Sequence, residues 1–235
     1  WHQIGLVCSE VSADCPFDVS GFSFSGVPGV VIGHNTQIAW GFTNLTTDVA
    51  DLYVEVLDGE SYWRDGVLVP LDVRTETIKV AGGKSVELDI RSTIHGPIVS
   101  GLSDDFAAIA ADPSAISEGF ADAPVGEFAL SLQWTALTPG NTPSAIFAMN
   151  TATNFAEFRE AARLFEVPAQ NLVYADIDGN IGYQTPGSLP IRGASDGSMP
   201  SFGWDSSYDW SGTIPFEELP TLYNPPEGFI VTANN

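Results

Sequence analysis

Between Val27 and Tyr53 the chain sets two three-residue apolar runs, Val30-Val31-Ile32 and Ile38-Ala39-Trp40, on either side of Gly33-His34-Asn35. Runs so short, parted by turn-forming residues, predict two buried strands joined by a tight turn. A Gly41-Phe42-Thr43-Asn44 corner follows, then the aspartates Asp48 and Asp51. Small, aromatic and acidic side chains in that order mark the stretch as a candidate site.

The rest of the chain points to sheet as well. Glycine at 23 and proline at 16 among 235 residues, with 11% aromatics, favour strands and turns over a helical bundle. Val86, Leu88 and Ile90 alternate strictly beyond the Ala81-Gly82-Gly83-Lys84 turn, which predicts a hairpin with Ile78 and Val80. Leu172 to Ala175 and Ile181 to Tyr183 predict another, joined at Asp178-Gly179 by a type I′ turn. Ala145 to Met149 fits either a strand or the start of a helix. The clear helix is Phe155 to Glu166, with Asn154 as cap, Glu157 completing a capping box, and Phe155, Phe158, Ala162 and Phe165 as an apolar stripe. Residues 101–126, rich in Ala, Asp, Ser, Pro and Gly, read as a surface insertion or loop. The length and the 44% hydrophobic content suffice for one core, so a single domain over 1–235 is expected.

A formal net charge of -22 makes nucleic acid a poor partner, because phosphate binding needs clustered Lys and Arg. No apolar run reaches the roughly 18 residues that would predict a membrane-spanning helix. Cys8 and Cys15 are compatible with a local disulfide in an oxidising compartment and equally with two buried thiols. Beginning at Trp1 without a methionine or signal peptide, the chain is expected to be a processed product or a fragment.

Familiar catalytic signatures are missing. There is no Gly-x-Ser-x-Gly elbow, phosphate loop, His-Glu-x-x-His pair or zinc-spaced Cys/His set. His2, His34 and His95 neighbour no triad pattern and read as structural, His34 and His95 bonding backbone within Gly turns. Asp176-x-Asp178-Gly179-Asn180 resembles the opening of a calcium loop, but Gly187 stands where the closing glutamate would be, so a hairpin turn is the better reading. Asp48 and Asp51 lack a nearby basic residue in sequence and fit either hard-oxygen ligands for Ca²⁺ or a solvated acidic loop.

Longer blocks carry a family likeness. Pro28 to Asn35, Ile38 to Asn44, Tyr174 to Tyr183, Asp209-Trp210, Ile214-Pro215-Phe216 and Thr232 to Asn235, in that order, resemble the β chain of the penicillin acylase family of N-terminal-nucleophile hydrolases. The resemblance implies an α+β fold of the αββα sandwich type, rich in antiparallel strands, and an amide hydrolase acting on a small acylated amine. It also implies an α chain from the same self-processed precursor and a periplasmic or secreted location.

In such enzymes a serine at the β-chain start attacks the carbonyl, with its own α-amine as base. That serine is absent here, since the chain opens on Trp1. By position, the resemblance makes Asn44, through its backbone N–H, and Asn234, through its side chain, the two oxyanion donors. Phe42, Trp134 and Asn171 fall on acyl-pocket positions, although for the two aromatics core packing serves as well. Asp48, the Ala50 carbonyl and Asp51 fall on Ca²⁺ ligands, with further ligands expected from outside this chain. The acyl group stays open among β-lactam side chains, N-acyl homoserine lactones and other acylated amines. The contrasting reading is a non-enzymatic, acidic, secreted β-rich module that binds calcium or a partner surface.

Overall fold

The computed structural model describes residues 1–113 and 122–234, and these form two compact units through which the chain passes in turn. It begins in the first unit with β1 (His2–Val7), β2 (Asp18–Ser23), β3 (Ile32–Asn35) and β4 (Ile38–Asn44). The second unit then takes β5 (Ala50–Asp58), β6 (Ser61–Arg64), β7 (Val67–Pro70), β8 (Asp72–Ile78), β9 (Val86–Thr93), β10 (Gly96–Pro97), α1 (Asp104–Ala111) and β11 (Glu127–Trp134). The chain returns for α2 (Thr142–Thr151), α3 (Phe155–Arg163), β12 (Gln170–Asp176) and β13 (Ile181–Gln184). It gives β14 (Pro190–Ile191), β15 (Ser201–Phe202) and β16 (Gly212–Thr213) to the second unit, and β17 (Thr221–Tyr223) to the first. The expected single domain is thus laid out as two units interleaved in sequence, and Pro139-Gly140, Pro186-Gly187 with Pro190, and Gly212 with Pro215 stand close to three of the crossings.

In the first unit a seven-stranded sheet runs in the order β1-β2-β3-β4-β12-β13-β17, and its pairings are antiparallel. Helices α2 and α3 supply its apolar partner. Ala145 and Met149 of α2 and Phe158, Ala161 and Ala162 of α3 cluster with Ile38, Trp40, Leu172 and Tyr174 of the strands. Helix α3 forms as its sequence predicts. Asn154 Oδ1 accepts from Glu157 N at 3.0 Å, and the Glu157 carboxylate reaches back to Thr153 N at 2.8 Å, which satisfies two orphan amides at the N-terminus.

The tight turn lies slightly later than the sequence suggests. Strand β3 continues through Gly33 and His34 to Asn35, whose Oδ1 accepts from Gln37 N and Ile38 N, both at 2.9 Å. Asn35 Nδ2 meanwhile donates to Ala152 O at 2.7 Å, closing the carboxyl end of α2. One asparagine therefore sets the turn and ties it to a helix, which Gly33 could not do. At the β12–β13 hairpin only Gly179 has a positive φ (86°), and Asp176 Oδ1 accepts from Asp178 N and Asn180 N. That is a turn closed by a left-handed glycine rather than the expected type I′, which needs positive φ at both central residues.

In the second unit β5 is central, paired antiparallel to β11 and β6 and parallel to β15. The β8–β9 hairpin appears in the register its alternation predicts, from Asp72↔Ser92 to Ile78↔Val86. Within the expected 101–126 loop, residues 104–111 are helical. Ser103 caps this helix, its hydroxyl accepting from Phe106 N at 3.1 Å. The disulfide between Cys8 and Cys15 forms and closes the loop that joins β1 to β2.

Candidate active site

The first unit gathers the candidate oxyanion residues at the end of β4. Asn44 is the last residue of that strand and pairs with Gln170 across β12. Its carbonyl accepts from Asn171 Nδ2 at 3.1 Å, and Asn171 Oδ1 accepts in turn from the Tyr183 hydroxyl. Because Asn171 is buried, these bonds hold the peptide that follows Asn44, next to the one that carries its N–H. Two residues on, the Thr46 hydroxyl donates to Asn234 O at 2.7 Å, and Asn234 has a positive φ of 59°. Residues nearly two hundred positions apart in sequence thus meet on one loop.

Beside Asn44 lies a cavity of about 440 Å³. Phe42 lines it, with Val31 and Ile32 from the start of β3, Ile146 of α2, Phe165 beyond α3, and Gln170. Trp134 and Asn171 do not line it. Trp134 ends β11 in the second unit and is 43% exposed, and Asn171 holds the Asn44 carbonyl instead. Sequence reasoning missed Ile32, Ile146, Phe165 and Gln170 as pocket residues. They come from separate segments, and only the β12–β4 register sets Gln170 opposite Asn44.

The acidic pair lies in the second unit and has a cation of its own. Asp51, buried on β5, accepts Arg192 Nε at 2.8 Å on Oδ2 and Arg192 Nη2 at 3.0 Å on Oδ1, and the Trp210 indole also donates to Oδ2. Arg192 Nη2 further pairs with Asp48 Oδ2 at 3.0 Å and donates to Asp48 O at 3.1 Å. Gly197 passes so near that a Cβ there would stand 2.6 Å from both Arg192 Nε and Asp48 Oδ2. Such a donor set has the right chemistry for Ca²⁺, which takes about six to eight oxygens. Its arrangement does not suit one, because the Arg192 guanidinium already pairs with both carboxylates. Among the described residues no three His, Cys, Asp or Glu side chains converge as metal ligands.

A second buried charge cluster in the same unit escaped the sequence reading. Glu55 on β5 receives Thr93 Oγ1 and Ser131 Oγ, both at 2.7 Å, and faces His95 Nδ1 at 2.8 Å, all on one carboxylate oxygen. His95 Nε2 faces Asp209 Oδ1 at 3.0 Å, and Arg64 pairs with the other oxygen of Asp209. The Tyr53 ring stacks on the imidazole at 3.8 Å. Burial alone would raise the Asp209 carboxyl, but hydrogen bonds from Arg64 and His95 outweigh it and hold the group below the usual aspartate value. His95 is structural, as expected, but through carboxylates rather than through backbone.

The penicillin amidase family model matches residues 1–235. The chain belongs to that family. Among its penicillin amidase relatives, an acyl-homoserine lactone acylase (QuiP) of Pseudomonas fluorescens is 32% identical over 93% of this chain. The penicillin acylase 2 proenzyme of a Pseudomonas species and the penicillin G acylase of Escherichia coli are each 33% identical over the same share. Matched this way, the chain spans about a quarter of each relative's length, 25%, 26% and 24% respectively. A thermostable penicillin G acylase structure from Alcaligenes faecalis superposes with a TM-score of 0.77 at 31% identity, over 99% of this chain and 38% of that one. The sheet-rich, antiparallel architecture is therefore the penicillin G acylase fold, and relatives named as acylases give the non-enzymatic reading no support.

Proposed function

We propose that the complete protein is an amide hydrolase that removes an acyl group from an amine, and that this chain supplies its acyl pocket and oxyanion donors. The observation that carries this reading is that Asn44 lines a largely apolar cavity, while two residues on the Thr46 hydroxyl holds the carbonyl of Asn234. Negative charge develops on the carbonyl oxygen when an amide is attacked, and preorganised N–H donors act on that charge alone. In this reading the Asn44 N–H and the Asn234 side-chain amide bind the oxyanion. Asn171, itself held by Tyr183, anchors the carbonyl of Asn44. The cavity, with Phe42 in its wall, excludes water from the acyl chain and selects it by shape. The attacking group lies outside this sequence, and the naming of one relative as a proenzyme supports a processed precursor with an α chain as partner. The Cys8–Cys15 disulfide supports a periplasmic or secreted location.

The deciding experiment replaces Asn234 by alanine in the complete protein. Turnover of an N-acyl amine is expected to fall about a hundred- to a thousandfold with an unchanged melting temperature. Unchanged turnover removes the assignment.

Calcium belongs to the reading on one condition, that the ion displaces Arg192 from Asp48 and Asp51 and takes further oxygens from outside this chain. A fall in melting temperature on chelation, reversed by added Ca²⁺, meets that condition; no shift leaves Arg192 as the counter-charge.

A further inference from the structure

One side chain of the cavity is not explained by its walls. Among the described residues that line it, Asn44, Thr142 and Gln170 are the ones with an amide or hydroxyl side chain, beside the indole of Trp1. Asn44 is exposed, so water satisfies its side chain. Thr142 Oγ1 donates to Val167 O and accepts from Glu166 N and Val167 N. Gln170 is 6% exposed, and its amide makes no hydrogen bond among the described residues. Neither of its polar atoms is sealed in the protein interior, so what remains accessible of the side chain belongs to the cavity it lines. Hiding an amide among apolar walls without a partner is costly. A glutamine kept there is set to meet a polar atom of the molecule that fills the cavity.

The register says which part of that molecule it meets. Gln170 stands directly opposite Asn44 in the β12–β4 pairing, and side chains of directly opposed residues leave the backbone about 4.5–5.5 Å apart. Asn44 is the residue assigned above to the oxyanion. Gln170 is therefore close to the carbonyl end of an acyl chain, not to its far end. A primary amide offers both donors and an acceptor, so it can serve an oxo or a hydroxyl group alike.

We propose that Gln170 determines acyl specificity: its amide hydrogen-bonds an oxygen substituent on the first few carbons of the acyl chain, so the enzyme prefers oxygenated acyl chains to plain ones of equal length. This deepens the acylase reading and rests on it. A plain chain leaves the amide unpaired, and sites built around a hydrogen bond discriminate strongly against ligands that lack it.

The test compares kcat/KM of the complete protein on two amides that share one amine and one chain length, one acyl group plain and the other carrying an oxo group at its third carbon. A preference of about tenfold or more for the oxo substrate is expected. Gln170→Leu should abolish that preference by lowering kcat/KM on the oxo substrate alone. Gln170→Met, longer and more pliable, takes its place where the leucine variant does not fold, and the wild-type ratio stands without either. Equal kcat/KM on the two amides, or an equal loss on both in the variant, overturns the proposal. Hydrolysis of neither amide removes the acylase reading and the proposal with it, whereas hydrolysis of both at one rate removes only the role of Gln170.

Discussion

The two units spend their buried polar groups differently. Where β4 ends and β12 begins, the first unit buries neutral amides, Gln170 lining a cavity and Asn171 bonded to the Asn44 carbonyl. Along β5 the second unit buries acidic groups, Asp51 with Arg192 and Glu55 with His95, and each carboxylate accepts several hydrogen bonds, though in Glu55 all of them fall on Oε1 and Oε2 has none among the described residues. Neutral amides can be left ready for a ligand at modest cost, whereas an unpaired buried charge is far more expensive. A binding surface is thus tenable in the first unit, while the charged interior of the second is suited to holding its own strands in place.

The largest effect that would break this contrast is expected at Glu55. Glu55→Ala strands the ring of His95 and the hydroxyls of Thr93 and Ser131, and it should cost about 3–5 kcal/mol in denaturant unfolding. A loss below about 1 kcal/mol would mean that the cluster tolerates an open partner and the contrast fails. Phe42→Ala should instead change selectivity before stability. The half-buried ring leaves the cavity wall, and preference should move toward bulkier acyl groups by about tenfold, read as a ratio of kcat/KM values.

The smallest effect concerns pH. The folded-state carboxyl of Asp209 lies below its unfolded value, so its contribution is present above the unfolded value of about 3.9 and is lost as pH falls through the lower folded value. Asp209→Asn should flatten the pH dependence of unfolding in that acidic window; a profile parallel to wild type would remove Asp209 as its source.

How much of this was legible in the sequence depended on the range of the interaction. Helix α3, the β8–β9 hairpin and the β12–β13 hairpin announce themselves, because caps, alternation and turn residues act within a few positions. Helix α2 did not, since its buried face is Ala145, Met149 and Asn150, and a short apolar run reads equally as strand. Nothing next to Glu55 in the sequence marks it as buried and bonded. Its partners at 93, 95 and 131 lie far along the chain, and sheet on both sides buries β5 along most of its length. Family likeness named Asn44, Asn234, Phe42, Asp48 and Asp51, but could not show that Arg192 lies between the two aspartates or that Asn171 braces Asn44.

The interleaving of the two units has a consequence for how the protein is made. On a ribosome, the second unit lacks Arg192 and β15 until its last segment, 190–213, has emerged, and the first lacks β17 until residue 223. Neither can close until residues 190–223 have emerged, and both close within a few dozen residues of each other. A chain of such long-range pairings folds slowly and exposes unpaired strand edges meanwhile. Its yield in a heterologous host should therefore respond more to the pace of translation and to chaperones than to the stability of the finished fold.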